Sequence, residues 1–139
     1  MKLFSSLRID LQPWNEPIVF AEYKRFAIGN EDENYKLQIE DFDADRSTAG
    51  DSLNPYWDSA NGAAFSTYDR DNDRLFYDNC ALIYHSAWWF TNCFQSHLNG
   101  LYVQPPSALQ NKARNGLQWN TYDLYHSMKS TTIRIRRSN

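Results

Sequence analysis

Asp69, Asp71 and Asp73 recur at every second residue in the run Tyr68-Asp69-Arg70-Asp71-Asn72-Asp73. Carboxylates packed this closely repel one another unless a cation or solvent lies between them. Calcium takes roughly six to eight oxygen ligands from carboxylates, carbonyls and water, so an alternating acidic loop suits it. The EF-hand form of such a loop needs Gly at its sixth position and Glu at its twelfth. Counted from Asp69, those positions hold Arg74 and Cys80, which excludes an EF-hand. A calcium loop of another kind and a solvated acidic turn both remain open. Cys80 and Cys93 follow the loop, with no CxxC pair and no Cys/His cluster around them, so zinc is not expected. Their spacing admits one disulfide or two buried thiols. A disulfide closing a loop of about 15 residues contributes roughly 3 kcal/mol in the chain-entropy picture and places the chain outside the reducing cytosol.

Catalysis finds less support. His85, His97 and His126 are scattered, and no Ser or Cys nucleophile has a base at convincing spacing. Asp41, Asp43 and Asp45 raise a phosphatase reading, because an Asp-x-Asp after a strand can open such a site. That chemistry wants Thr or Val two residues after the second Asp, and Ala44-Asp45 or Arg46-Ser47 stands there instead. No Gly-rich or Lys motif supports it downstream, and a solvated loop is the better reading. The chain is not expected to be an enzyme.

The elements that would position these residues are mostly strands. Residues 6–11 (SLRIDL) alternate apolar and polar side chains, and Pro13 stops them. Residues 18–27 (IVFAEYKRFA) run to the Gly29-Asn30 turn signal, and residues 35–39 (YKLQI) alternate again. These three predict an antiparallel meander. Residues 131–136 (TTIRIR) predict a closing strand with Ile133 and Ile135 on one face and the arginines toward solvent. Residues 52–62 and 105–116 read as long loops punctuated by Asn54-Pro55, Asn61-Gly62 and Pro105-Pro106. Tyr56 and Trp57 are expected to cover the core. Helix is scarce, with a short turn expected at residues 86–94. The fold class is α+β, a twisted and mainly antiparallel sheet with long loops and little helix.

At 139 residues the chain is expected to form one domain, residues 1–139. A formal net charge of -3 argues against nucleic-acid binding. No apolar run approaches the ~18 residues that span a membrane, so no membrane insertion is expected. The opening MKLFSSLRIDLQ has no sustained apolar segment of the signal-peptide kind, and no N-x-S/T sequon occurs.

One set of motifs is far more specific than any single feature. FSTYDRDND spans residues 65–73, NCA 79–81, AWWF 87–90, NC 92–93 and HLNGLY 97–102. Upstream, LRIDL, FAEYKRFAIG, YKLQI and TAGD stand in the same order as LRVDL, FAxYxxFxVG, YxLxV and TAGD. The C-terminal TTIRI is similar to a terminal MKIRP strand. From Leu7 onward the chain resembles the C-terminal globular domain of fibrinogen and its relatives, the ficolins, tachylectins, tenascins and angiopoietins.

The resemblance implies calcium held by the Asp71 and Asp73 side chains and the main-chain carbonyls of Leu75 and Tyr77, with Asp69 as outer support. It implies a Cys80–Cys93 disulfide and a ligand pocket beside it. In acetyl-binding members the peptide before the second cysteine is cis and aims N–H groups at an acetyl oxygen; here that peptide is Asn92–Cys93. Tyr84 falls where one aromatic wall is placed. Phe94 departs from the histidine many members carry, and Trp119 or Tyr122 is expected to supply the remaining wall. Leu82, Ile83 and Tyr84 stand where the polymerisation pocket of fibrinogen carries acidic and amide groups, so that function is not expected.

The implied function is an extracellular, secreted, calcium-binding recognition module, lectin-like, taking acetylated sugars or similar groups. The alternative is an adhesion or receptor-binding module of the tenascin or angiopoietin kind with a protein ligand. Relatives carry a further N-terminal subdomain, so the chain is expected to be a fragment of a longer protein. Upstream sequence could then support an oligomer, and an exposed sheet edge would invite pairing.

Overall fold

Strand β1, Ser5–Gln12, follows its alternation: Leu7, Ile9 and Leu11 are buried, while Ser6, Arg8 and Asp10 point to the other face. The computed structural model describes residues 4–137. Residues 1–3 of the opening segment, and the last two residues of the expected domain, lie outside the described residues. Strand β2, Val19–Ile28, pairs antiparallel with β1, setting Ile9 opposite Ala21 and Leu7 opposite Tyr23. Strand β3, Leu37–Phe42, extends the meander, with Ile39 opposite Phe26. These strands lie within three residues of the bounds that alternation predicts.

The short elements between β3 and the last strand are helix α1 at Cys80–Tyr84 and two-residue strands β4 and β5 at Ser96–His97 and Gln118–Trp119, which pair with each other. Two single 3-10 turns occur at Glu31–Glu33 and Ser107–Gln110. Strand β6, Ser130–Arg137, returns to pair with β1 along its whole length, giving the sheet order β3-β2-β1-β6. The last strand thus lies beside the first, and β6 forms an edge.

The sheet buries its apolar face against the segments that follow it. Leu53, Trp88, Phe90, Trp119 and Met128 join Ile9, Leu11, Tyr23, Leu37 and Ile39 in one core. The cover stops short of β6. Register puts Ile133 opposite Ile9 and Ile135 opposite Leu7, on the core face, yet these isoleucines are 48% and 59% exposed.

Two local expectations are corrected. The short helix is at Cys80–Tyr84, not at residues 86–94, because Asn79 supplies the cap: its side chain accepts the Leu82 N–H at 3.2 Å. Within residues 86–94, Trp88 instead bridges Ser66 in an antiparallel pairing. Tyr56 and Trp57 do not cover the core; both side chains lie largely in solvent.

Candidate calcium loop and ligand cavity

Asn72 shapes the acidic loop from inside. Its amide donates to the Phe65 carbonyl at 2.9 Å, and its backbone N–H reaches Ser66 Oγ at 3.0 Å. Asp73 is half-buried and accepts two N–H groups, Leu75 on Oδ1 at 2.9 Å and Cys80 on Oδ2 at 2.8 Å. Asp71 Oδ1 faces the Asp73 N–H at 3.3 Å and its carboxylate is exposed. Burial pushes the Asp73 carboxyl above the ordinary value, and the neighbouring Asp71 carboxylate adds to the rise. Two carboxylates placed side by side, Asp73 with a raised proton affinity, are a donor set that a cation would relieve.

Asp69 stands apart. It takes the Thr67 hydroxyl at 2.6 Å, which lowers its pKa, and it is fully exposed. The buried Leu75 side chain anchors the loop, and the Arg74 N–H bonds the Thr91 carbonyl at 3.0 Å. Phe76 and Tyr77 extend their side chains into solvent. No hydrogen bond among the described residues uses the Leu75 or Tyr77 carbonyls. The set of Asp71, Asp73 and those two carbonyls is all hard oxygen, which fits calcium. Among the described residues no three His, Cys, Asp or Glu side chains converge as a metal group. An ion here would have to complete its shell from main-chain oxygens and water.

Cys80 and Cys93 are joined, with their Cα atoms 5.6 Å apart, and the Asn92–Cys93 peptide is cis. Beside them opens a cavity of about 290 Å³ lined by Tyr84, Asn92, Cys93 and Phe94 together with Gln95, Arg114, Asn120 and Leu124. The Tyr84 and Phe94 rings meet edge to face at 4.8 Å. The Arg114 guanidinium lies 4.8 Å above the Phe94 ring, donates to Asn120 Oδ1 at 2.8 Å and to the Leu124 carbonyl at 3.2 Å. Such contacts fix a cation over an aromatic face at the mouth of the cavity. No carboxylate among the described residues lines it.

Under Phe94 sits His97, buried, with ring centroids 4.3 Å apart. His97 Nε2 meets the Arg114 carbonyl at 2.9 Å, and a carbonyl only accepts, so Nε2 carries the proton. Nδ1 is buried without a partner among the described residues. Burial therefore holds the imidazole neutral and pushes its pKa down to about 4. The turn at Asn99-Gly100 presses on the same loop: a Cβ on Gly100 would come within 2.2 Å of the Gly116 carbonyl. Only glycine allows that approach, which brings the loop carrying Arg114 over the cavity.

Trp119 and Tyr122, the residues expected to complete the aromatic wall, lie outside the lining. Trp119 has no exposed surface and donates its indole N–H to the Gly50 carbonyl at 3.1 Å, deep in the core. Tyr122 is half-buried against His126. Arg114, Asn120 and Leu124 occupy the side of the cavity where a ring was expected. No motif marks them, because a loop that reads as irregular brings them there by long-range contact. Gln95 was missed although it directly follows Phe94. A second cavity of about 240 Å³ adjoins the first through Asn92 and Gln95 and is walled by Trp57 and Asp58.

Comparison with known proteins agrees with this architecture. Residues 3–138 match the family described as the C-terminal globular domain of fibrinogen beta and gamma chains. Fibrinogen-like protein 1 of Rattus norvegicus is 38% identical over 141 aligned positions, covering 96% of this chain and 43% of the relative. Fibrinogen C domain-containing protein 1-B of Xenopus laevis is 34% identical, covering 98% of this chain and 29% of the relative. The chain therefore spans less than half the length of these curated relatives. The fibrinogen-like globe domain of human ANGPTL2 superposes with a TM-score of 0.84 at 31% identity, over 98% of this chain and 59% of that one. Lamprey fibrin D-dimer, solved with the peptide Gly-His-Arg-Pro-amide, gives a TM-score of 0.85 at 27% identity, over 97% of this chain and 46% of that one. The motifs around the acidic loop, the paired cysteines and the four-stranded sheet thus have one common explanation: this chain belongs to the family of fibrinogen-type C-terminal globular domains.

Proposed function

We propose that this chain is an extracellular, non-enzymatic recognition module that binds a small acetyl-type group in the cavity beside the Cys80–Cys93 disulfide. The observation that carries the reading is the pairing of the Tyr84 ring, backed by Phe94, with the donors of Arg114 and Asn92, in a lining that holds no carboxylate among the described residues. A methyl group can rest against the half-buried Tyr84 ring, with Phe94 buried behind it, while its carbonyl takes N–H donors, the usual division of labour in a small pocket. The lack of a counter-charge, with Arg114 in place, disfavours a cationic peptide terminus of the kind carried by the ligand in lamprey fibrin. The exposed Trp57 ring in the adjoining cavity offers a platform for the rest of a sugar. This favours an acetylated glycan over an isolated acetyl group.

Calcium fits the second half of the proposal. Asp71 and Asp73 would hold it with the Leu75 and Tyr77 carbonyls. A bound ion would supply charge neutralisation between two crowded carboxylates and brace the loop that leads into Cys80. A secreted location agrees with the disulfide. Display on an oligomer would raise avidity without new contacts.

A second reading is supported by one further observation. Tyr56, Phe76 and Tyr77 are almost fully exposed, and exposed aromatics are favoured at protein interfaces. A glycan array separates the two. Binding to N-acetylated sugars that disappears with EDTA supports the module as proposed. Capture of a protein partner with no competition by sugars supports the second reading.

A further inference from the structure

The arginines of β6 face solvent as expected, and two of them do so beside other charged side chains. The polar face of the sheet encloses a cavity of about 480 Å³ whose lining carries the cations Arg8, Lys24, Arg46, Arg134 and Arg136 against the carboxylates Glu22 and Asp43. It shares no residue with the ligand cavity beside the disulfide. Strand register explains the crowding. Arg8 of β1 stands opposite Arg134 of β6, and Ser6 stands opposite Arg136. On its other side β1 has a register irregularity: Ser5 pairs with Phe26 and Leu7 with Tyr23, so Lys24 and Arg25 both fall against Ser6.

Part of this charge is neutralised within the fold. Arg8 bonds Asp10 and Glu22, each at 2.9 Å, Arg46 reaches Glu22 at 3.1 Å, and Arg134 pairs with Asp10. Asp43 is occupied in its own turn, accepting the Arg46 backbone N–H at 3.2 Å. Lys24 and Arg136 have no carboxylate within ion-pair distance among the described residues, and both are exposed. With Asp10 added, the face holds two more cationic than anionic side chains, five against three, in a chain whose net charge is -3. Positive charge is therefore concentrated on this face rather than being a property of the whole chain.

We infer that this face of the sheet is an anion-binding site whose ligand is a sulfated saccharide, held chiefly by Lys24 and Arg136 beside Ser6. Guanidinium groups recognise tetrahedral oxyanions through paired N–H donors, and an ammonium adds a point charge. A disulfide-bearing chain works in an oxidising compartment, and sulfated glycans are the polyanions of the cell exterior. A site formed by side chains from three adjacent strands matches several spaced sulfates better than one free ion.

The test is an amide-resolved NMR titration of the oxidised protein in 0.15 M salt with a heparin-derived tetrasaccharide, its desulfated form and inorganic sulfate. The sulfated probe should shift the amides of Ser6, Lys24 and residues 134–136 and bind more weakly as salt rises. The desulfated probe should not bind. Lys24→Glu with Arg136→Glu, both at exposed positions, should lose about tenfold or more in affinity, and Lys24→Gln with Arg136→Gln should fall between that variant and the wild type. No binding in 0.15 M salt, shifts confined to other surfaces, or unchanged affinity in the double variants would overturn the inference. Inorganic sulfate binding as tightly as the tetrasaccharide would overturn the saccharide assignment.

Discussion

Asp73 ties the acidic loop directly to the disulfide: its Oδ2 accepts the backbone N–H of Cys80 at 2.8 Å, at the first residue of α1. The candidate metal loop and the ligand cavity are thus not separate features. Tyr84, at the end of the same helix, lines the cavity, and Cys80 is bonded to Cys93, which lines it too. Whatever orders the loop also fixes one wall of the pocket.

Asp71 and Asp73 should therefore separate when mutated. Asp73→Ala removes the acceptor for two N–H groups and is expected to cost about 1–3 kcal/mol even without calcium. Asp71→Ala should cost little without the metal. In calcium at a hundredfold excess over its dissociation constant, the wild type should gain about 2.7 kcal/mol, and both variants should lose that gain. Calorimetric melts with and without calcium measure this. A wild type that melts at the same temperature in both buffers would remove the metal from the account.

Acid should weaken the fold through His97. Burial lowers its folded-state pKa from 6.5 to about 4, so between those values the unfolded chain binds a proton that the folded chain does not. The stabilisation is complete above the unfolded value and is lost as pH falls through the folded one. The loss amounts to about 3 kcal/mol at most. His97→Gln should flatten the dependence of unfolding free energy on pH in this window, read from urea titrations at several pH values. An unchanged slope would show that other groups carry it.

Much of this organisation is readable from residue order, and the exceptions share a cause. Leu7, Ile9 and Leu11 announce β1 because a strand repeats every second residue. The Tyr68 to Asp73 run and the Asn92–Phe94 segment are recognisable because their residues are adjacent. Trp119 illustrates the limit: ring type says nothing about depth, and its indole serves the core by bonding Gly50. Arg114 illustrates the converse. It lies in a loop that reads as irregular, and long-range contacts, the close approach of Gly100 to Gly116 and the bonds to Asn120 and Leu124, bring it over Phe94. Ile133 and Ile135 follow the strand pattern faithfully, but alternation does not reveal where the cover of a sheet ends.

The paired cysteines should matter for stability as well as shape. Cys80→Ser with Cys93→Ser opens a loop of 13-residue separation and is expected to cost about 3 kcal/mol. Denaturant unfolding of the double variant measures it. A loss below about 1 kcal/mol would mean that packing of Phe90, Phe94 and Trp88 alone holds this segment.

The central claim is that the cavity between Tyr84, Phe94 and Arg114 takes an acetyl group, and its most direct test is an NMR titration with N-acetylglucosamine and with glucosamine in calcium buffer. The account predicts that only the acetylated sugar shifts the amides of residues 92–95 and 114. It also predicts that Tyr84→Ala and Arg114→Ala each reduce that binding about tenfold or more while calcium binding persists. Equal response to both sugars, no shift at residues 92–95, or undiminished binding in both variants would contradict it.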